Sequence, residues 1–248
     1  MTTPITLNDI TIHPVVEQQG AWFEVFGFFP TLTKDQLDEN RAWLEPTFLD
    51  PTNNCLVFCI QAFVIRTPHH NILVDACVGN HKARPTRPFW NMLDSDRFES
   101  GLRAIGLGVH DIDYVMCTHL HGDHVGWNTR LDNGRWVPTF PKARYIMADR
   151  ELAYWTQRER ENPQSVPWIT DSVLPIVAAK REEIVRSDRL GRRRLGHRRS
   201  GGTGADGAPA GSRPHRLFLG RGGPPAADSA GGGLPGAVRG THPPRGGH

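Results

Sequence analysis

Cys117-Thr118-His119-Leu120-His121-Gly122-Asp123-His124-Val125-Gly126-Trp127-Asn128 is the stretch whose reading decides both fold and chemistry. Four groups able to ligate a metal, His119, His121, Asp123 and His124, fall within six residues. Side chains two apart on an extended segment point to the same side, so a strand end presents His119 and His121 together. Gly122 allows a sharp turn that brings Asp123 and His124 back toward them. A helix would scatter the four around its circumference. Imidazole and carboxylate suit zinc, iron or manganese better than calcium. The competing reading is a polar loop that happens to be rich in histidine. It is weak, because His-x-His-x-Asp-His arises by chance on the order of once per thousand sequences of such composition.

The stretch has the context that chemistry needs. Tyr114-Val115-Met116 reads as a buried strand leading straight into Thr118. Upstream, residues 56–65 read as a strand, 68–71 as a turn, and 72–74 as a short buried strand that stops at Asp75. Residues 97–105 read as a helix, and Tyr145-Ile146-Met147 as a fourth strand. Residues 149–159 and 171–185 read as helices, the latter with Val173, Leu174, Val177 and Ile184 apolar and Pro175 acceptable in its first turn. Thr33 and Gln36 have the spacing of a capping box for a helix through Trp43. Short buried strands mixed with helices predict an α/β or α+β layered domain.

Composition divides the chain of 248 residues into 1–188 and 189–248. The second part holds 11 of the 29 Lys and Arg but 2 of the 26 Asp and Glu, which leaves it at +9 and the first part at −6. Its 60 residues include 17 Gly, 7 Pro and 7 Ala, with no Lys, Glu or Ile, and Phe218 is its one aromatic side chain. Such a segment buries too little apolar surface to offset chain entropy, so disorder is expected. Three readings compete: an Arg/Gly-rich nucleic-acid-binding segment, a plain flexible appendage, and a reading-frame error. Gly, Arg, Pro and Ala have codons built from G and C, so a GC-rich gene read out of frame yields this mixture, and that reading fits best. No stretch approaches the ~20 apolar residues of a membrane span. The start carries no basic region followed by an apolar core. Four cysteines in a chain of this length make no disulfide framework, so a reducing, cytoplasmic setting is expected.

Thr118-His119-Leu120-His121-Gly122-Asp123-His124 resembles the signature of the metallo-β-lactamase-fold hydrolases. Ile72-Leu73-Val74-Asp75 followed by Gly79-Asn80 is similar to their upstream strand and small-residue loop, and Asp111-Ile112-Asp113-Tyr114-Val115 to their approach to the signature. The likeness covers roughly residues 55–185. It implies an αββα sandwich, here incomplete at the C-terminus, and looks most like the lactonase and organophosphate-hydrolase branch. The resemblance implies that His119 and His121 bind one divalent ion and Asp123 and His124 a second, both zinc. A hydroxide held by the ions would attack an ester or lactone, with Asp123 ligating and also orienting or relaying the proton. Asp75 would either hydrogen-bond the motif loop or simply cap its strand. The expected partner is a small-molecule substrate; neither membrane nor nucleic acid is expected.

The family needs further ligands downstream, a His after a Gly, a bridging Asp and a final His. His197, His215, His242, His248, Asp206 and Asp228 follow no apolar strand, so none is assigned. Read one base later, codons 204–214 permit Pro-x-Pro-Gly-His-x-Pro, which resembles the family's second metal motif. A frame error would leave an apolar sheet face uncovered and predicts poor solubility and negligible activity. The alternative from another class is a non-catalytic metal-binding module whose Arg/Gly-rich tail binds RNA. Other residues carry less. His69 and His70 fit an exposed turn and His110 the approach to a strand; for His81 a plain polar loop position outweighs the mouth of a site. Cys55 and Cys59 lie on one face of a strand and are expected to pack in the core rather than bind zinc. Phe89, Trp90, Trp127 and Trp136 could line a pocket or pack.

Overall fold

Valine, isoleucine and phenylalanine at alternate positions build a seven-stranded sheet in the computed structural model, which describes residues 3–186 of the chain. The strands are β1 (Ile5–Leu7), β2 (Ile10–Glu24), β3 (Cys55–Arg66), β4 (Asn71–Val74), β5 (Tyr114–Met116), β6 (Thr129–Asp132), β7 (Arg135–Pro138), β8 (Arg144–Ala148) and β9 (Glu182–Val185). The helices are α1 (Val25–Phe28), α2 (Lys34–Leu44), α3 (Arg97–Ala104), α4 (Asp149–Glu161) and α5 (Leu174–Ala178), with a π-helical turn at Ile169–Val173. The sheet order is β1-β2-β3-β4-β5-β8-β9, antiparallel from β1 to β4 and parallel from β4 to β9. Parallel neighbours need crossovers. α3 lies between β4 and β5, the β6–β7 hairpin between β5 and β8, and α4 between β8 and β9. Asn133 and Gly134, at φ 47° and 75°, close that hairpin in the left-handed conformation a two-residue turn requires.

One face of the sheet carries the core. Val15, Ile60, Ala62, Val64, Leu73, Val115, Tyr145 and Met147 are buried there, against Phe98 and Leu102 of α3. The opposite face is apolar too. Phe63 pairs with Val74, Ile65 with Ile72, Val74 with Met116 and Met116 with Ile146. These side chains are half-buried or exposed and belong to neither core cluster. Thr33 and Gln36 form both hydrogen bonds of the expected capping box at the start of α2.

The mixed α/β class and most of the expected elements are present. Two segments depart from expectation. Residues 171–185 do not form one helix. Lys180 turns to φ 54°, and residues 182–185 pair in parallel with β8, so strand pairing overrides the helical spacing of Ile184. The 15-residue strand β2 was not anticipated, because Glu17-Gln18-Gln19-Gly20 breaks its apolar alternation and register shifts interrupt its pairing. Cys59 is exposed and Cys55 half-buried, so their expected core packing does not occur. The second sheet of a sandwich, the boundary at 188 and every expectation for residues 189–248 lie outside the described residues. Among the described residues no helix is long and apolar enough to cross a membrane.

Candidate metal centre

β4 and β5 are parallel neighbours and end side by side, which puts Asp75 next to Thr118. Asp75 Oδ1 accepts the Thr118 backbone N–H at 2.8 Å, and both its oxygens take up the Thr118 hydroxyl at 3.0 and 2.9 Å. Its Oδ2 also accepts Nδ1–H of His124 at 2.9 Å. Of the two roles open for Asp75, hydrogen bonding to the motif loop is what the structure contains. The His119 ring lies 4.5 Å from that of His121 and 4.0 Å from that of His124, centroid to centroid. Asp123 Oδ2 is 3.4 Å from Nε2 of His124. His121 is exposed and the other three are half-buried, so the cluster sits at the surface where the strand ends. All four residues singled out in the sequence are therefore brought together.

Burial pulls the His124 pKa down, but hydrogen bonds to Asp123 and Asp75 and their negative charges outweigh it and hold it up at about 9. Burial would raise Asp75 and Asp123; the bonds to His124, and for Asp75 those to Thr118, prevail and leave both carboxyls below their ordinary range. His119 is pushed down, first by burial and then by its two imidazole neighbours.

The donor set fits a divalent transition metal in kind. His119 Nδ1 is engaged by the Thr118 hydroxyl at 3.1 Å and His124 Nδ1 by Asp75, which leaves both Nε2 atoms facing away from those partners. A carboxylate or hydroxyl on the far nitrogen is the usual way a ligating imidazole is oriented. Two imidazoles sharing one tetrahedral ion at ~2.1 Å per nitrogen have centroids about 5 Å apart. These rings stand closer than that, and among the described residues no three His, Cys, Asp or Glu side chains are disposed to hold one ion together.

The loops behind the cluster are held backbone to backbone. Ala76 N–H donates to the His124 carbonyl at 2.8 Å, Gly126 N–H to Cys77 at 2.8 Å and Trp127 N–H to Ala76 at 2.6 Å. Asp75, Cys77 and His81 take φ values of 60°, 45° and 61°, a conformation that costs a non-glycine residue about 1–3 kcal/mol. A Cβ on Gly126 would lie 1.8 Å from the Val78 carbonyl oxygen, and one on Gly79 would lie 2.7 Å from the Gly126 carbonyl carbon. Gly126→Ala is accordingly expected to destabilise the fold by about 3 kcal/mol, read from urea unfolding midpoints.

Glu17, which no sequence motif marked, is buried at the root of these loops. It accepts N–H from Val78 at 2.9 Å, Gly79 at 3.0 Å and the Trp127 indole at 2.6 Å, and burial raises its pKa. Lys82, Arg84 and Asp171 form a second buried cluster. Arg84 donates to both Asp171 oxygens at 2.7 and 3.0 Å, and Lys82 donates to Thr129 at 2.8 Å with its ammonium over the Trp136 ring. Of the other aromatic candidates, Trp127 stacks on Phe98 in the core and Phe89 on Trp22. His69, His70, His81 and His110 are exposed, and His81 lines a shallow recess with Asn80 and Trp127.

Comparison with known proteins agrees with this architecture. Residues 60–248 match the sequence model of the Metallo-beta-lactamase superfamily. The chain is 24% identical over 168 residues to the N-acyl homoserine lactonase AiiB of Agrobacterium fabrum, an alignment covering 62% of this chain and 58% of that relative. The chain thus spans less than two thirds of that relative's length. Three solved structures share its fold. A probable metal-dependent hydrolase from Staphylococcus aureus has a TM-score of 0.55 and 19% identity, over 73% of this chain and 61% of the other. The hydrolase AbOPH has a TM-score of 0.54 and 21% identity, over 74% and 60%. AidC, a dizinc quorum-quenching lactonase, has a TM-score of 0.54 and 16% identity, over 74% and 60%. On the match of its sequence from strand β3 onward, this chain belongs to the metallo-beta-lactamase superfamily.

Proposed function

We propose that the chain is a metal-dependent hydrolase of a small ester or lactone. Its metal ligands are His119, His121, Asp123 and His124, and the composition of residues 189–248 leaves it impaired. The observation that carries the reading is the clustering of three imidazoles and a carboxylate at the end of β5, with Nδ1 of two of the rings already occupied. The N-acyl homoserine lactonase relative supports a lactone as substrate, and the dizinc lactonase among the structural neighbours supports zinc. A pair of divalent ions supplies Lewis acidity and lowers the pKa of water toward ~7. Asp123 takes the proton of the attacking water at Oδ2 and returns it to the leaving alkoxide, so that ring opening consumes one water and releases none. Asp75 keeps the His124 imidazole turned so that Nε2, not Nδ1, meets the site. At neutral pH His124 is an imidazolium, so metal uptake there displaces a proton.

The test uses two chains, this one and one whose coding frame is shifted by one base after about codon 187. Zinc-dependent opening of an N-acyl homoserine lactone is expected in the frame-shifted chain and is lost in its Asp123→Ala variant. This chain is expected to show background turnover. A frame studded with stop codons would overturn the frame error and with it the impairment, and turnover that survives Asp123→Ala would overturn the hydrolase reading.

A further inference from the structure

Leu120 separates His119 from His121, and both polar groups of its backbone are taken by side chains from elsewhere. Its N–H donates to Glu151 Oε2 at 3.0 Å, and its carbonyl accepts the indole N–H of Trp168 at 2.8 Å. Glu151 lies in the first turn of α4, and the same Oε2 also accepts the indole N–H of Trp155 at 3.0 Å. The two indoles then stand around His121. Trp155 meets its ring edge-on at 5.0 Å and Trp168 at 6.4 Å, and the indoles pack on each other at 5.6 Å. Leu120 itself is buried, so its side chain anchors the segment as well.

We propose that Glu151 and Trp168 are positioning residues for the His119/His121 pair, each gripping one of the two peptide groups that flank the Leu120 Cα and so setting the angle at which the imidazoles face one another. The proposal rests on the reading of those histidines as metal ligands. The physical reason is local. In a His-x-His segment the relative directions of the two rings depend on the dihedral angles of the middle residue, and with the N–H of the peptide before Leu120 and the carbonyl of the peptide after it both held, φ and ψ of Leu120 cannot drift. Trp155 shares the Glu151 oxygen and so keeps that carboxylate aimed at Leu120. Partners that orient ligands in this way typically change metal affinity by 10–100-fold when removed.

The experiment has two readouts on the full chain. Amide hydrogen exchange reports the grip without any metal, and the Leu120 amide is expected to exchange at least tenfold faster in Glu151→Ala, with Glu151→Gln intermediate because its carbonyl oxygen still accepts. Titration with cobalt(II), followed by its visible ligand-field absorption, reports the consequence. Glu151→Ala and Trp168→Phe are each expected to bind cobalt about tenfold more weakly, with an altered spectrum, while Trp155→Phe changes both less. Far-UV circular dichroism and melting temperature show that each variant is folded. If Leu120 exchange or the cobalt spectrum is unchanged in folded Glu151→Ala and Trp168→Phe, the positioning role is wrong. If cobalt binds the parent chain only in ways His119→Ala leaves untouched, the metal-centre reading itself is wrong, a separate outcome.

Discussion

Asp171→Ala is expected to destabilise the protein by about 3–5 kcal/mol, a large share of the 5–15 kcal/mol that separates a typical folded domain from its unfolded chain. Asp171 is the carboxylate in a buried group of three charges. Its two oxygens take the Arg84 guanidinium, and Lys82 Nζ lies 3.7 Å away. Lys82 is fully buried and Arg84 is 4% exposed. Removing the carboxylate therefore strands the Arg84 guanidinium in the interior and drives Lys82 further toward its neutral form, and urea unfolding at constant pH measures the cost. Lys82 makes the effect pH-dependent. Burial pulls its pKa down, Asp171 holds it up, Arg84 pushes it down again, and the balance is about 7. An unfolded lysine titrates at about 10.4. Between those values the unfolded chain binds a proton that the folded chain lacks, so this group makes stability rise as pH rises from about 7 toward about 10. Below pH 7 both states hold the proton and the penalty is present in full. Lys82→Met, which removes the surplus cation and keeps the Arg84–Asp171 pair, is expected to flatten that rise and to cost less than about 1 kcal/mol.

Asp75→Ala is expected to weaken cobalt or zinc binding by about 100-fold, at the upper end for a group that orients a ligand. The carboxylate serves three donors, the Thr118 N–H, the Thr118 hydroxyl and Nδ1 of His124. Without it His124 is free to rotate and Thr118 loses the anchor that starts the motif loop. Asp75→Asn keeps one carbonyl oxygen in place and should fall between the parent and alanine variants. Equal affinity in all three proteins, by competition with a chromophoric chelator, would show that His124 needs no such support.

The clustering of His119, His121, Asp123 and His124 was legible because its information is local. Strand, turn and four donors lie between residues 114 and 124, and their spacing alone brings the side chains together. The groups that hold the stretch in place come from far along the chain. Glu17 reaches Val78 across 61 positions and Trp127 across 110, and Arg84 reaches Asp171 across 87. Nothing in the neighbouring sequence of a lone glutamate or aspartate marks such a meeting. β2 escaped notice for a different reason, since a buried glutamate at position 17 reads as solvent-facing until its three N–H donors are known. The turn from α5 into β9 was misread because residues 182–185 owe their strand to β8 rather than to their own composition.

The glycine-to-glycine approach between residues 79 and 126 has a dynamic consequence. Two segments that meet through main chain alone have no side-chain cushion between them, so neither can breathe independently of the other. Thermal opening of residues 76–79 and 124–127 should be a single event, with their amides sharing one free energy of exchange. Any displacement of the sheet at β4 then reaches the histidine cluster as a rigid push instead of being absorbed on the way.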